Sequence, residues 1–283
     1  MIGNSVNAPA PPPSPPSVAG VQIDHLSWSG IKCYTDCPRK FHYRYIAQVP
    51  AEFVPASLAF GSAIHAAAQL CHQARLEGQV IPDVAGLAIT YDGAWRAETV
   101  HAPEVLYPKN EDAVSLREMA TRMLTTYREH VTAAAMRQPA QIIGVEHAHR
   151  FHLLSDVPSI EMRLDLLELV GPDLIVTDIK TSRSRWNDEK AREHLPQLVL
   201  YSVGLVPLLR DLGAKRIIPR FCVITKAKTP AIQVLEPKAS QQDVDRLKRM
   251  TSETWDAVQK DVFVQREGWG CAQCPYRTRC LGR

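Results

Sequence analysis

The chain has 283 residues, of which 45% are hydrophobic and 22% charged, and its formal net charge is +3. That balance belongs to a globular protein with a core of its own; it excludes wholesale disorder, a collagenous repeat and a disulfide-dense mini-protein. No apolar run approaches the roughly 18 residues that a bilayer span requires, so no membrane partner is expected.

Residues 1–20 carry six prolines between Pro9 and Pro16 and lack the basic start and apolar block of a secretory signal. They are expected to be a disordered leader on a cytoplasmic protein. Ser27 or Ser29 can cap a helix through IKCYTDCPRKFHYRYI, interrupted or restarted at Pro38. A second helix is expected over FGSAIHAAAQLCHQARLEG, ending near Gly78, with further helices over about 86–100 and 111–137. Three strands follow in AQIIGVEHAHRFHL, SIEMRLDLLEL and DLIVTDIKTS, read as a meander. Helix returns from Asn187 to Leu209 with a kink near Pro196, then strands in RIIPRFCVIT and AIQVLEP, and a long amphipathic helix in SQQDVDRLKRMTSETWDAVQK. Helices, strands, a helix, strands and a last helix predict an α/β fold, a mixed sheet with helical flanks.

Asp178 and Lys180 in VTDIKT stand two apart on a predicted strand, so period two puts both on one face. A tight turn near Gly171 and Pro172 would bring Asp165, at the end of the preceding strand, alongside them. Adjacent carboxylates repel each other, and a hard divalent cation such as Mg²⁺ or Mn²⁺ offsets that repulsion. A neighbouring lysine can orient a water or hold a phosphate oxygen, which suits phosphodiester hydrolysis. Alone, such strand-end residues are more often a solvated surface pair. Gln197 and Tyr201 of QLVLY share a helix face. His65, in an alanine-rich helix, is either structural or completes a metal shell.

Taken in order, GSAIH, Asp165, the Asp178-Ile179-Lys180 strand and the Gln197 to Tyr201 helix resemble the PD-(D/E)XK nuclease superfamily, and within it the RecB-like exonucleases. The resemblance covers roughly residues 26–283 and implies a restriction-endonuclease-like core. It implies metal ligation by His65, Asp165, Asp178 and the carbonyl of Ile179, with Lys180 as the catalytic lysine and Gln197 and Tyr201 positioning DNA and the lysine. One departure is Arg163, where the family usually has glycine two residues before the first aspartate. Glu146, in the preceding strand, is read either as a supporting acid or as a surface residue.

Three of the seven cysteines, Cys271, Cys274 and Cys280, fall in the last thirteen residues with C-x2-C-x5-C spacing. Without a signal peptide, that clustering points to metal ligation, and three thiolates need a fourth ligand to close a zinc or iron–sulfur site. Cys37, in DCPRKF, resembles the first cysteine of the iron–sulfur nucleases, which include the AddB subunit of AddAB and the CRISPR-associated adaptation exonucleases. The resemblance implies a structural [4Fe–4S] cluster joining the two ends of the domain, with Zn²⁺ as the alternative. Arg39, Lys40, Arg44, Tyr276 and Arg277, with Phe41, Tyr43 and Tyr45, are candidates for a rim that tracks phosphates and stacks bases.

The resulting expectation is a DNA nuclease domain over 21–283: a largely helical part (21–137), a nuclease core (138–262) and a cysteine-rich clasp (263–283). No G-x-x-x-x-G-K-[ST] loop is present, so unwinding would fall to a helicase or another repair, recombination or CRISPR-adaptation partner. Two other classes stay open: a non-catalytic nucleic-acid-binding module, and a zinc- or cluster-binding interaction protein.

Overall fold

A computed structural model describes residues 17–18, 21–137 and 140–282. The expected leader lies outside these residues apart from Ser17–Val18 (β1), which pairs antiparallel with Val21–Gln22 (β2). After His25–Leu26 (β3), the Ser27 hydroxyl accepts from the Gly30 N–H and caps α1 (Trp28–Asp36). Cys37 is extended and ends that helix; Pro38, whose missing N–H suits a first helical position, restarts it as α2 (Pro38–Phe41) and a π turn over His42–Ile46. Val54–Pro55 (β4) leads into α3 (Ala56–Leu76), which starts four residues before the expected Phe60. Then come α4 (Val84–Thr99), β5 (Val105–Leu106) and α5 (Ala113–Arg137).

The remaining elements are β6 (Gln141–Phe151), β7 (Ser159–Val170), β8 (Asp173–Ser182), α6 (Asp188–Gly204), α7 (Val206–Asp211), β9 (Arg216–Thr225), β10 (Ile232–Leu235), α8 (Gln241–Gln259), a 3-10 turn over Trp269–Gln273 and α9 (Arg277–Leu281). The helix expected from Asn187 to Leu209 is split at Leu205, and Pro207 sits in the first turn of α7. Pro196 stays inside α6. Gly204 brings the end of α6 hard against the sheet, since a methyl there would lie 2.5 Å from Met162 and 2.6 Å from Phe151.

Six strands form one mixed sheet in the order β10-β9-β8-β7-β3, with β6 also paired to β7. The β6–β7–β8 run is an antiparallel meander, as expected, and Gly171 takes the positive φ that its β7–β8 turn needs. The crossover through α6 and α7 then makes β9 parallel to β8. One core packs Ile31, Leu198 and Trp255, from α1, α6 and α8, against Leu164, Val176 and Phe221 of the sheet. The second packs α3, α4 and α5 against Ile179, Cys222 and Ile224. This is the mixed α/β arrangement the sequence predicts, with helices on both faces. No helix among the described residues is long and apolar enough to cross a membrane.

Ordinary contacts fasten the N- and C-terminal parts together. The Tyr34 hydroxyl donates to the Val262 carbonyl (2.6 Å) and the Arg266 guanidinium to the Thr35 carbonyl (2.7 Å). The Glu52 carboxylate accepts the N–H groups of Thr278 and Arg279 at the start of α9.

A buried chain of polar groups sets α3 against the sheet and α5. The Arg75 guanidinium bonds Glu168 of β7 (3.0 Å) and the Nδ1 of His72 (3.0 Å), and His72 Nε2 lies 2.7 Å from the Tyr127 hydroxyl. Arginine only donates, so Nδ1 accepts and Nε2 carries the proton of a neutral imidazole. Burial, reinforced by Arg75, pushes the His72 pKa down to about 3. Unfolded histidine titrates near 6.5, so the unfolded chain binds the extra proton first and stability falls as pH drops from 6.5 towards 3. His72 is expected to cost the fold about 2 kcal/mol between pH 7 and pH 5. Urea unfolding at both pH values checks this, and His72→Gln should lose that part of the slope.

Candidate functional site

The strand registers line up three carboxylates on neighbouring strands. Val145 pairs with Leu166 and His147 with Leu164, which sets Glu146 of β6 beside Asp165 of β7. Leu166 and Thr177 are the last β7–β8 pair, so Asp165 and Asp178 follow it on the two parting strands. Asp165 is therefore inside its strand and not at the end, as the sequence reading has it. Past that last pair, the Ile179 N–H is satisfied by Asp165 Oδ2 (2.6 Å) instead of by a strand, while the Ile179 side chain is buried in the core under α3.

Each carboxylate meets a different element. From α3, His65 Nδ1 lies 3.5 Å from Asp165 Oδ2. From α6, Gln197 Nε2 donates to Asp178 Oδ1 (2.9 Å) and to the Tyr201 hydroxyl (2.7 Å), and Gln197 Oε1 accepts from Lys180 Nζ (3.0 Å). The Tyr201 hydroxyl donates to the Arg163 carbonyl (3.2 Å). Lys180 Nζ is 2.8 Å from Asp178 Oδ2 but is not aligned on it, which leaves that buried oxygen with no hydrogen-bond partner among the described residues. The five motif residues and His65 thus converge on one open cavity of about 560 Å³.

Burial and then the charge of Asp178 push the Asp165 carboxyl well above the usual carboxylate range. Burial also raises Glu146. Burial followed by the charges of Asp178 and Asp165 pushes the Tyr201 hydroxyl well up, so it remains a protonated donor. For His65, burial outweighs the pull of Asp178 and lowers the pKa, leaving a neutral imidazole free to ligate. Such a set suits a hard divalent cation: carboxylate oxygens, one neutral nitrogen and an unpartnered buried Oδ2.

Glu146 is the member that sequence reasoning left between two roles. The ligating atoms of His65, Glu146 and Asp165 lie within 4.8 Å of one another. The Arg163 side chain is 69% exposed on the wall of the same cavity, with Nε 4.0 Å from Glu146 Oε2.

Cys37, Cys271, Cys274 and Cys280 line a separate small pocket with Arg39, Lys40, Tyr276 and Arg277. Cys33 does not line it; burial pushes Cys33 and Cys71 up to about 11 and Cys222 up to about 12, the state of inert core thiols. Tyr276 corrects the expected stacking rim. It is 5% exposed and packed against Tyr43, and Phe41 is 2% exposed, so neither ring offers a face to a base. Arg44 lies over the Tyr45 ring, 5.4 Å from its centroid.

The raised pKa of Asp165 carries a stability prediction. A carboxyl with a folded pKa above its unfolded value favours the folded state at low pH, and this contribution is lost as pH rises through the folded pKa. Asp165→Asn keeps an oxygen for the Ile179 N–H and removes the charge. At pH 8 with divalent cations chelated, it is expected to stabilise the protein by about 1–2 kcal/mol, read as a raised midpoint in thermal unfolding.

The arrangement has counterparts among known proteins. No curated protein sequence matches the chain. Among solved structures, it resembles a candidate exonuclease from Eubacterium rectale, with a TM-score of 0.55 and 11% identity over 92% of this chain and 90% of that one. At such identity the likeness is one of fold. The protein SSO0001 aligns over 90% of this chain and 95% of its own at 12% identity, with a TM-score of only 0.35. The sequence profile of the PD-(D/E)XK nuclease superfamily matches residues 25–281, nearly the whole chain and all of the cavity described above. This chain belongs to the PD-(D/E)XK nuclease superfamily.

Proposed function

We propose that the protein is a Mg²⁺- or Mn²⁺-dependent deoxyribonuclease of the RecB-like branch, with residues 21–283 forming a single nuclease domain. The observation that carries this reading is the hydrogen-bonded set around Asp178, in which Gln197 holds the carboxylate, Lys180 and Tyr201 at once. His65, Asp165, Asp178 and the Ile179 carbonyl would hold the cation, which supplies charge neutralisation at the phosphate and lowers the pKa of water. Lys180 places its ammonium beside the cavity, where negative charge develops on the phosphate oxygens. Gln197 fixes the lysine from one side, and Tyr201 ties α6 to the backbone of β7. Arg163, with its guanidinium largely in solvent, is suited to meet the phosphate of an incoming strand.

Action from DNA ends or on single strands, which the resemblance of the motifs to the RecB-like exonucleases implies, is part of the proposal. So is a [4Fe–4S] cluster on Cys37, Cys271, Cys274 and Cys280. One observation supports a metal site there: the four cysteines line one pocket. Four thiolates serve iron–sulfur or zinc, and the resemblance of Cys37 and the late cysteines to the iron–sulfur nucleases favours the cluster. A helicase or another DNA-processing partner would supply any unwinding.

Labelled single-stranded, double-stranded and closed circular DNA, each with Mg²⁺ or Mn²⁺, separate the substrate classes. Anaerobically purified protein is expected to degrade substrates with ends and to spare closed circles. Lys180→Ala should lower the rate by about 10²–10³-fold, and Asp178→Ala should abolish it. Binding without cleavage by the wild type would overturn the reading in favour of a binding module. Brown protein with matching iron and acid-labile sulfide, lost in Cys37→Ala, is the expected result for the cluster; stoichiometric zinc is the result against it.

A further inference from the structure

We propose that Glu146 is a cation ligand of this site, closing the divalent-cation shell together with His65 and Asp165. The inference rests on the metal-dependent reading above and assigns a residue that none of the sequence motifs includes.

The geometry points to Glu146 in three ways. Its carboxylate, the Asp165 carboxylate and a His65 ring nitrogen lie within 4.8 Å of one another, a spacing that one ion can span. Asp178 has Oδ1 held by Gln197 and Lys180 Nζ 2.8 Å from Oδ2, so it has at most that second oxygen to give the ion, and the shell has room for a further carboxylate. The same cavity holds an independent, unsatisfied acceptor. Asp178 Oδ2, on a residue only 2% exposed, has no hydrogen-bond partner among the described residues; Lys180 Nζ faces it at 2.8 Å without being aligned on it, so this buried oxygen keeps a lone pair for an ion in the cavity.

Cross-strand placement strengthens the case. Like charges on neighbouring strands repel, and here Glu146 lies beside Asp165 between two registered β6–β7 pairs while Asp178 follows the last β7–β8 pair. The nearest basic side chain to Glu146, Arg163, is 4.0 Å away and mostly in solvent, where an ion pair is heavily screened. Glu146 also has a φ of +48°, a left-handed conformation that glutamate rarely adopts, and this turns β6 locally at the cavity. Oxygen donors from two carboxylates with a single imidazole suit Mn²⁺ better than Mg²⁺.

Binding of Mn²⁺ alone, without DNA, tests the assignment. Free Mn²⁺ is read by its EPR signal during titration, and the thermal midpoint is followed in parallel. Glu146→Gln is expected to weaken Mn²⁺ binding at least about tenfold, while its cation-free midpoint stays level with or above that of the wild type. Glu146→Asp, which keeps the charge on a shorter arm, should fall between the two. If Glu146→Gln binds Mn²⁺ within twofold of the wild type, Glu146 is not a ligand, and the nuclease reading stands without it. If the folded wild type binds no Mn²⁺, the metal-dependent reading itself fails and takes this inference with it.

Discussion

Repulsion among neighbouring carboxylates is the constraint around which the rest of the structure is arranged. Three adjacent strands each bring one to the same row: Glu146, Asp165 and Asp178. Every element packed near that row contributes something that tempers the charge. Lys180 stands beside Asp178, His65 arrives from α3 as a neutral imidazole, and α6 delivers Gln197 and Tyr201 as donors. Even the backbone takes part, since Asp165 captures the Ile179 N–H where β7 and β8 separate. The nuclease fold thus concentrates negative charge at one point of the sheet and surrounds it with dipoles fixed by packing.

The helices on either face have matching tasks. The end of α6 is pinned because Gly204 lets the helix approach Phe151 and Met162 without a side chain between them. The long α3 is pinned by the buried Glu168, Arg75, His72 and Tyr127 chain, two turns beyond His65. Both anchors lie away from the carboxylate cavity, and both restrict how far their helix can slide relative to the carboxylates. The terminal segments are fastened separately, through Tyr34, Arg266 and Glu52, so protein contacts join them in addition to whatever the cysteine pocket holds.

Much of the site was legible in the sequence because it follows short-range periodicity. Asp178 and Lys180 share a cavity because strand side chains repeat every two residues, and Gln197 and Tyr201 because helix neighbours repeat every four. The meander was legible from three apolar runs and the Gly171-Pro172 turn. What could not be read depends on register and tertiary packing. Nothing within reach of Glu146 in the chain announces that it stands beside Asp165; that follows from a bulge between Ile142 and Gly144 and from the backbone turn at Glu146 itself. Tyr276 misled for the opposite reason. Aromatic residues interleaved with basic ones look like a stacking rim, yet its ring is spent on the core. The division of the helix at Leu205 had a local signal in Pro207, outweighed by the apolar run around it.

The order of synthesis gives the parallel pairing of β8 and β9 a further consequence. Strands β6, β7 and β8 close through short antiparallel connections, while β9 must wait until α6 and α7 have emerged. During that interval β8 is an open edge of an unfinished sheet, the kind of surface on which nascent chains adhere to one another. Asp178 and Lys180 lie on that edge strand, and charged side chains on an edge strand discourage a stranger strand from pairing with it. The charges gathered for the finished site are therefore also of the kind that blunts an open sheet edge.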